Sequence, residues 1–195
     1  PHRYYLSLYK LYDRLTTEFP DVLFEGCAGG GGRFDAGMLQ YSPQVWCSDN
    51  TDPVARLAIQ YGTSFGYPSS SMGAHVSASP NHQTGRKTSL STRGVVAMAG
   101  TFGYELDLTK LTAEECGEIR NQIKRYKDIE PVVHGGRLYR LSDPAENSRY
   151  YCWEHVSADK SRCVLSVVVT DPQANYTLVH VKLKGLDPDA MYSVG

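Results

Sequence analysis

Two clusters of chemically capable residues follow short apolar runs in the first third of the chain. The first cluster follows Val22–Phe24 and contains a carboxylate, a thiol, a glycine run and an arginine, at Glu25, Cys27, Gly29–Gly32 and Arg33. The second cluster follows Val45–Cys47 and reads Ser48-Asp49-Asn50-Thr51-Asp52. Functional groups gather at the carboxyl ends of parallel strands in α/β proteins. Both clusters are therefore predicted to lie at one edge of a sheet.

Asp49 is the first candidate for a catalytic residue, because it stands where a barrel strand would present a functional group. Asp52 precedes Pro53, and this pair is typical of a helix start in which Asp caps the free amides and Pro occupies the first turn. The two carboxylates are therefore assigned different roles, chemistry for Asp49 and structure for Asp52. The alternative that both residues only cap stays open from spacing alone.

The first cluster predicts a loop that approaches a ligand closely, since glycines such as Gly30 let backbone amides come near. A nucleotide cradle is disfavoured because no Gly-Lys-Ser or Gly-Lys-Thr follows the run, and a plain turn is the other alternative. Cys27 is either a buried structural thiol, which its type alone favours, or a weak contact to a hydroxyl-bearing ligand. Arg33 either donates to hydroxyls or a carboxylate, or pairs with Asp35 or Glu25.

The composition excludes several classes of protein. With 195 residues and a net charge of −1, the chain suits one domain or one and a part, and it has no charge excess suited to nucleic acid or anionic membranes. Its five cysteines are irregularly spaced, so neither a disulfide framework nor a structural zinc or other metal site is expected. No stretch approaches the ~18 apolar residues of a membrane helix.

Apolar periodicity predicts alternating helices and strands up to residue 130. The predicted helices cover residues 3–18, 34–41, 52–61 and 91–99, with a further helix beginning at the capping box Thr112–Glu115. The predicted strands cover residues 21–26, 44–48, 72–78 and 101–108. Within the third strand His75 either faces the barrel mouth or is a buried, hydrogen-bonded histidine, and the second interpretation is favoured. Four such β-α units are half of a (β/α)8 barrel.

The helical pattern ends near Pro131, and β-rich sequence follows it. Strands are predicted over Val164–Thr170 and Thr177–Lys184, the second with the alternation of a half-buried antiparallel strand. The predicted division is a C-terminal half of a (β/α)8 barrel in residues 1–130 and an antiparallel β-sandwich domain in residues 131–195. Because a helical pattern starts at its first residues, the chain is expected to begin within a domain.

Several blocks resemble glycoside hydrolase family 36. The block Phe24–Cys27, together with the glycine run and Arg33-Phe34-Asp35, looks like the Cys-x-x-Gly motif of that family. The block Trp46–Asp52 looks like its acid/base motif. Further blocks that match its microbial α-galactosidases are Ser71–Ser77, Pro80–Gln83 and Phe102–Leu108. The resemblance extends along essentially the whole chain, and Gly26 is a mild departure because the family often has serine there.

The resemblance implies a (β/α)8 barrel followed by an antiparallel β domain, with this chain supplying the second half of the barrel. The implied activity is hydrolysis of terminal α-galactosides such as melibiose and raffinose, with retention of configuration and without a metal or cofactor. Asp49 is implied as the general acid/base and Cys27 as a galactose contact, and Gly30 and Arg33 complete the predicted subsite. The family nucleophile belongs to a Lys-Trp-Asp motif that does not occur in these residues. Glu25 is a disfavoured substitute.

The implied partners are α-galactoside oligosaccharides, whereas nucleic acid and membranes are not expected to bind. The resemblance also implies a homo-oligomer, commonly a tetramer, and the unpaired cysteines favour a cytoplasmic location over secretion. Two alternatives stay open, a galactosyl transferase of the raffinose-synthase kind and a non-catalytic carbohydrate-binding fragment. Because half a barrel leaves apolar edges uncovered, these residues expressed alone are expected to be inactive and to associate.

Overall fold

The computed structural model describes residues 2–146, 149–172, 174 and 180–195. This part of the chain contains a four-stranded parallel sheet and a three-stranded antiparallel sheet. The elements are, in chain order, α1 (His2–Glu18), β1 (Glu25–Gly26), α2 (Ala36–Leu39), β2 (Gln44–Trp46), α3 (Pro53–Thr63), β3 (Met72–Ser77), α4 (Leu90–Ala97), β4 (Thr101–Glu105), α5 (Ala113–Gly135), β5 (Arg137–Arg140), β6 (Tyr150–Val156) and β7 (Cys163–Val169). Short 3-10 helices precede β3 at Ser69–Ser71 and follow β4 at Leu108–Lys110.

The parallel sheet has the strand order β1-β2-β3-β4, with a helix between each pair of neighbours. Val45 lies opposite Met72, and Gly73 lies opposite Thr101, so the carboxyl ends of the strands meet at one edge. This arrangement is part of a (β/α)8 barrel, which confirms the predicted fold class. The strands β2, β3 and β4 begin at the predicted residues and end earlier, where polar loops take over.

The first predicted strand is wrong over most of its length. Of residues 21–26 only Glu25 and Gly26 form β1, and Val22 and Leu23 are 52% and 87% exposed rather than buried. β1 is an edge of the parallel sheet in the described residues, so no neighbouring strand on that side covers the preceding segment. The apolar run Val22–Phe24 is therefore largely exposed in the described residues.

One face of the parallel sheet carries the core, and the other face is left for polar side chains. Ala74 and Val76 of β3 are fully buried, and Val76 packs against Leu90 and Ala97 of α4 and Ile119 of α5. Residues that alternate with them along the strand point to the opposite face of the sheet. The helices thus fix the sheet from one side while its other face stays open near the strand ends.

The helix α1 buries none of its residues among those described, although apolar residues recur along it at helical spacing. Tyr4 and Leu11 are 58% and 51% exposed. The rings of Tyr9 and Tyr12 of α1 both stack on Tyr41, and the Tyr9 hydroxyl donates to Oδ1 of Asp35 at 3.3 Å. The short segment around α2 therefore anchors α1 to the rest of the fold.

The helix α5 begins as predicted and ends later than predicted. The capping box of Thr112 and Glu115 is formed in both directions, which confirms that signal. The helix then continues through Pro131 to Gly135. Position 130, where the sequence places a domain boundary, thus lies inside a helix, and the division of the chain into residues 1–130 and 131–195 stays a prediction.

The second sheet has the order β5-β6-β7 and is antiparallel throughout, which fits the predicted C-terminal β domain. β7 matches the strand predicted over residues 164–170 to within one residue. The strands β5 and β6 were not predicted. Of the strand predicted over residues 177–184, residues 177–179 lie outside the described part, and residues 180–184 form neither helix nor strand.

Candidate active site

A cleft opens on the free face of the parallel sheet, near the carboxyl ends of its strands. It is lined by Glu25, Cys27, Trp46, His75, Tyr104 and Glu105. Each of the four parallel strands contributes to this lining, and Cys27 follows β1 directly. The ends of parallel barrel strands are the positions from which α/β barrel enzymes present their catalytic groups. The cleft is therefore the first place to test the predicted site residues.

The glycine run after β1 touches the backbone that carries Asp49. Gly29, Gly30 and Gly31 have φ angles of +57°, +67° and +99°, in the left-handed region that favours glycine. A side chain at Gly30 would collide with the amide nitrogen of Asp49 and bring its Cβ to 2.9 Å from the Ser48 Cα. The close backbone approach predicted for Gly30 is present, and the loop that it approaches is the one that holds Asp49.

Asp49 lies beyond the end of β2 and is exposed. Within the described part of the chain its carboxylate forms no hydrogen bond or ion pair. Its backbone carbonyl accepts a hydrogen bond from Nε2 of Gln83 at 2.8 Å. Only Asp52 caps α3, so the alternative that both aspartates cap is wrong. The backbone of Asp49 is held while its side chain is left free.

Asp52 is fully buried and begins α3, as predicted. Its Oδ1 accepts from the amides of Val54 and Ala55 at 2.8 and 3.1 Å and pairs with Arg86 at 3.1 Å, while the Thr84 hydroxyl donates to Oδ2. Burial by itself would raise the pKa of Asp52, but these hydrogen bonds outweigh it and hold the pKa below its usual value. Asp52 is thus an ionised anchor of the loop.

Cys27 and Arg33 lie together at the end of β1. The Cys27 thiol is exposed and free, so the interpretation of a buried structural thiol is wrong. An Nη2 hydrogen of Arg33 is donated to the Cys27 carbonyl at 3.2 Å. In the described residues Arg33 forms no ion pair with Asp35 or Glu25, which was the alternative for it. Its guanidinium therefore retains donors that a ligand could use.

His75 faces the cleft rather than a closed core, so the favoured interpretation of a buried, hydrogen-bonded histidine is wrong. Its ring lies against Trp46, with centroids 4.6 Å apart, and it forms no hydrogen bond to another described residue. Burial lowers the pKa of His75, and the carboxylates of Glu25 and Glu105 only partly oppose this effect. The imidazole is therefore uncharged near neutral pH.

Two residues that were not among the predicted site residues hold the Asp49 loop, Arg56 from its buried side and Gln83 from its exposed side. Arg56 of α3 is buried and donates to the carbonyls of Ser48 and Gly73, while its guanidinium lies 4.7 Å from the Trp46 ring. Arg56 lies on the buried face of α3 with Leu57 and Gln60, and its charge instead favoured an exposed position. Gln83 contacts backbone atoms, and its residue type gave no signal.

The cleft offers hydrogen-bonding groups without a cation in its lining. Glu25 accepts from Nε2 of Gln44 at 2.8 Å, and burial raises the pKa of Tyr104 to about 12, so its hydroxyl stays protonated. Among the described residues no group of three or more His, Cys, Asp or Glu side chains could hold a metal ion. The lining suits an uncharged ligand rich in hydroxyl groups.

No helix in the described part of the chain is long and apolar enough to cross a membrane.

A parallel sheet covered by helices, a cleft at its strand ends and an antiparallel sheet packed behind it are the architecture of part of an α/β barrel followed by a C-terminal β domain. Residues 1–136 match the family model described as Melibiase, and residues 150–195 match the glycosyl hydrolase family 36 C-terminal domain. The chain therefore belongs to the Melibiase family, with the C-terminal domain of glycosyl hydrolase family 36, which confirms the resemblance.

Relatives match this chain along nearly its full length. The bifunctional alpha-galactosidase/sucrose kinase AgaSK of Mediterraneibacter gnavus is 57% identical over 189 residues, which cover 97% of this chain and 20% of AgaSK. The crystal structure of a variant of the alpha-galactosidase AgaA from Geobacillus stearothermophilus in complex with raffinose has a TM-score of 0.92 at 55% identity, covering 95% of this chain and 26% of AgaA. The alpha-galactosidase from Lactobacillus brevis has a TM-score of 0.94 at 47% identity, with coverage of 96% and 25%. The chain thus spans between 20% and 26% of the length of these relatives.

Proposed function

We propose that the full-length protein containing these residues is a retaining α-galactosidase that hydrolyses terminal α-D-galactosides of the melibiose and raffinose type. Full-length here means these residues together with the upstream half of the barrel that the family resemblance predicts. The proposal is supported by family membership and by AgaA, which binds raffinose in its crystal structure. The observation that carries it is the free carboxylate of Asp49 on a loop held at the end of β2.

Asp49 is proposed as the general acid and then the general base of a double displacement. A retaining glycosidase requires two carboxyl groups about 5 to 5.5 Å apart, one as nucleophile and one as acid/base. An acid/base must reach the departing oxygen, and the free, exposed carboxylate of Asp49 is suited to that task. The nucleophile is expected from the upstream Lys-Trp-Asp motif. Glu25 is a poorer candidate because its carboxylate is bonded to Gln44.

Cys27, Gly30 and Arg33 are proposed to form part of the galactose subsite together with Asp49. Cys27 presents an exposed thiol to the cleft, and Arg33 lies beside it with donors to spare. Gly30 brings the loop after β1 against the backbone of Asp49, so the proposed sugar contacts and the acid/base group lie on adjoining loops. Groups held in this way can orient the anomeric bond for protonation.

The test is the leaving-group dependence of Asp49→Ala in the full-length protein. Raffinose has a poor leaving group that needs protonation, so its hydrolysis should fall by about 10²- to 10⁴-fold, the usual contribution of a positioned general acid. The first step with an aryl α-galactoside that carries a good leaving group should fall much less. Added azide should restore turnover and give an α-galactosyl azide, which reports retention through a covalent intermediate. Raffinose hydrolysis at a near wild-type rate would remove Asp49 from this role.

The proposal extends to the assembly and location of the full-length protein. We propose a homo-oligomer, a tetramer by family resemblance, in the cytoplasm, with α-galactoside oligosaccharides as its substrates. Light scattering coupled to size-exclusion chromatography measures the assembly directly, and a monomer at micromolar concentration would contradict it. Fractionation of the source cells tests the location.

A further inference from the structure

The loop between β3 and α4, residues 79–87, lies over the loop that carries Asp49. The side-chain amide of Gln83 bridges this second loop on both sides of Asn50. Its Nε2 donates to the carbonyl of Asp49 at 2.8 Å, and its Oε1 accepts from the amide of Thr51 at 2.9 Å. A single exposed side chain thus satisfies one acceptor and one donor of the backbone that flanks the proposed acid/base.

Gln83 is itself held in place by its neighbours. The backbone amide of Gln83 donates to Oδ1 of Asn81 at 3.0 Å, and Nδ2 of Asn81 donates to the Thr51 hydroxyl at 3.0 Å. Asn81 is only 2% exposed, and its backbone amide is bonded to the Arg86 carbonyl. Arg86 in turn pairs with the buried carboxylate of Asp52. The loop after β3 is therefore held in place by hydrogen bonds and an ion pair, and Gln83 is the residue of this loop that contacts Asp49.

The carboxylate of Asp49 has no partner of its own among the described residues, so its position is set by the backbone. Gly30 packs against that backbone at the amide of Asp49, and Gln83 bonds the carbonyl of the same residue. A general acid must come within hydrogen-bond reach of the atom it protonates, and a displacement of about 1 Å can cost 10²-fold in rate. A bond at this point therefore bears on catalysis as well as on stability.

We propose that Gln83 is a positioning residue for the acid/base step, which rests on the proposed function of Asp49. It sets the direction of the Asp49 side chain by fixing the peptide group that follows it. Loss of this bond should weaken protonation of the leaving group selectively. A residue that only stabilised the fold would instead lower the hydrolysis of all substrates together, or leave them unchanged in the folded fraction.

The experiment compares Gln83→Met with wild type in the full-length protein, because methionine keeps the length of the side chain and lacks both hydrogen bonds. The kcat/KM for raffinose should fall tenfold or more, whereas that for an aryl α-galactoside with a good leaving group should change less than threefold. The inhibition constant for free galactose should be unchanged, since Gln83 does not line the cleft. His82→Ala is the matched control, because His82 is exposed, adjacent and bonded to no described residue.

Gln83→Glu separates the two bonds, and it also serves if the methionine variant does not fold. Glutamate keeps an acceptor for the Thr51 amide and loses the donor to the Asp49 carbonyl, so it should show the same substrate-selective loss. An equal loss for both substrates, or no loss in either folded variant, overturns the positioning role.

Asp49→Ala, measured in parallel, distinguishes the two levels of the proposal. If Asp49→Ala shows the leaving-group dependence and the Gln83 variants do not, only the inference about Gln83 fails. If Asp49→Ala hydrolyses raffinose like wild type, the proposed acid/base fails and the role of Gln83 fails with it.

Discussion

Gly30 and its neighbour Gly29 have similar backbone conformations in different surroundings, which makes them a matched pair. Both have positive φ angles, +67° and +57°, so an alanine at either position incurs a left-handed strain of about 1 to 2 kcal/mol. Only at Gly30 would the added Cβ also collide with the Asp49 amide, because nothing lies within 4 Å of the same atom at Gly29.

Gly30→Ala is therefore expected to displace the Asp49 loop and to lower kcat/KM for raffinose by about 10²-fold, the cost of a displacement of about 1 Å at a catalytic group. Gly29→Ala should keep most of the activity, since it shares the strain without the collision. Steady-state kinetics on both variants of the full-length protein measure this. Similar losses in the two variants would show that strain alone matters and that the contact with Asp49 does not.

The cysteines give a second prediction at the scale of single residues. Burial raises the pKa of Cys152 to about 11 and that of Cys163 to about 12, whereas Cys27 is exposed in the cleft. Since the thiolate is the reactive form, iodoacetamide at pH 8 should modify Cys27 well before Cys152 or Cys163. Saturating galactose should slow the reaction at Cys27, as followed by peptide mass spectrometry. Equal rates with and without galactose would count against Cys27 as a sugar contact.

At the scale of elements, the start of α3 and the loop after β3 depend on one buried carboxylate. Asp52 caps α3, pairs with Arg86 and accepts from Thr84. Asp52→Ala is expected to destabilise this region by about 2 kcal/mol, the upper end for a lost cap. Hydrogen exchange at the amides of Val54 and Ala55 should accelerate accordingly.

The control for this change is Asp107→Ala, which removes the cap of an exposed 3-10 helix and should cost about 0.5 kcal/mol. The pKa of Asp52 is lower in the folded protein than its ordinary value of 3.8. The charge of Asp52 therefore stabilises the protein fully at pH values above 3.8, and this stabilisation is lost as the pH falls through the folded pKa. Asp52→Asn should thus approach wild-type stability at low pH. A constant difference from wild type at all pH values would contradict the ionised anchor.

How far the sequence predicts an element depends on whether its signal is local. The start of α3 was predicted correctly because Asp52 and Pro53 act within one turn. β6 was missed because Glu154 and His155 are buried in it, and polar residues at core positions conceal a strand. The site follows the same rule. The glycine run and Asp49 are local signals, whereas the bonds of Gln83 join its side chain to backbone atoms more than thirty residues away.

At the scale of the whole molecule, the two sheets share a core. Leu57 of α3, Val96 of α4 and Val168 of β7 form one buried cluster, joined by Tyr151 and Trp153 of β6. A polar contact also joins the two sheets, because Nε2 of His155 in β6 lies 2.9 Å from the hydroxyl of Ser69, just before β3. Arg140 of β5 also donates to Ser64 at the end of α3. The antiparallel sheet therefore supports the helices and strands that carry the cleft.

His155 makes this contact between the two sheets sensitive to acid. It is 1% exposed, and burial together with the nearby His134 lowers its pKa from 6.5 to about 4. Above pH 6.5 the side chain is neutral whether the protein is folded or not, so its contribution to stability is complete. Between pH 6.5 and about 4 the imidazole is protonated in the unfolded chain and neutral in the folded protein. The free energy of unfolding therefore decreases as the pH is lowered through this range. The total loss from this residue is about 3 kcal/mol, and it levels off below the folded pKa.

His155→Gln should remove most of this dependence, because glutamine can still bond Ser69 and does not titrate. The pH dependence of the unfolding midpoint of the full-length protein, compared between wild type and variant, isolates the contribution of His155 from that of the carboxylates. His82→Gln is the control for loss of an imidazole elsewhere in the chain, since His82 is exposed and bonded to no described residue. The His155 ring protons, followed by NMR, should titrate near pH 4 in the folded protein. Titration near 6.5 would show that the side chain reaches water, and that the contact between Ser69 and His155 does not hold the two sheets together in solution.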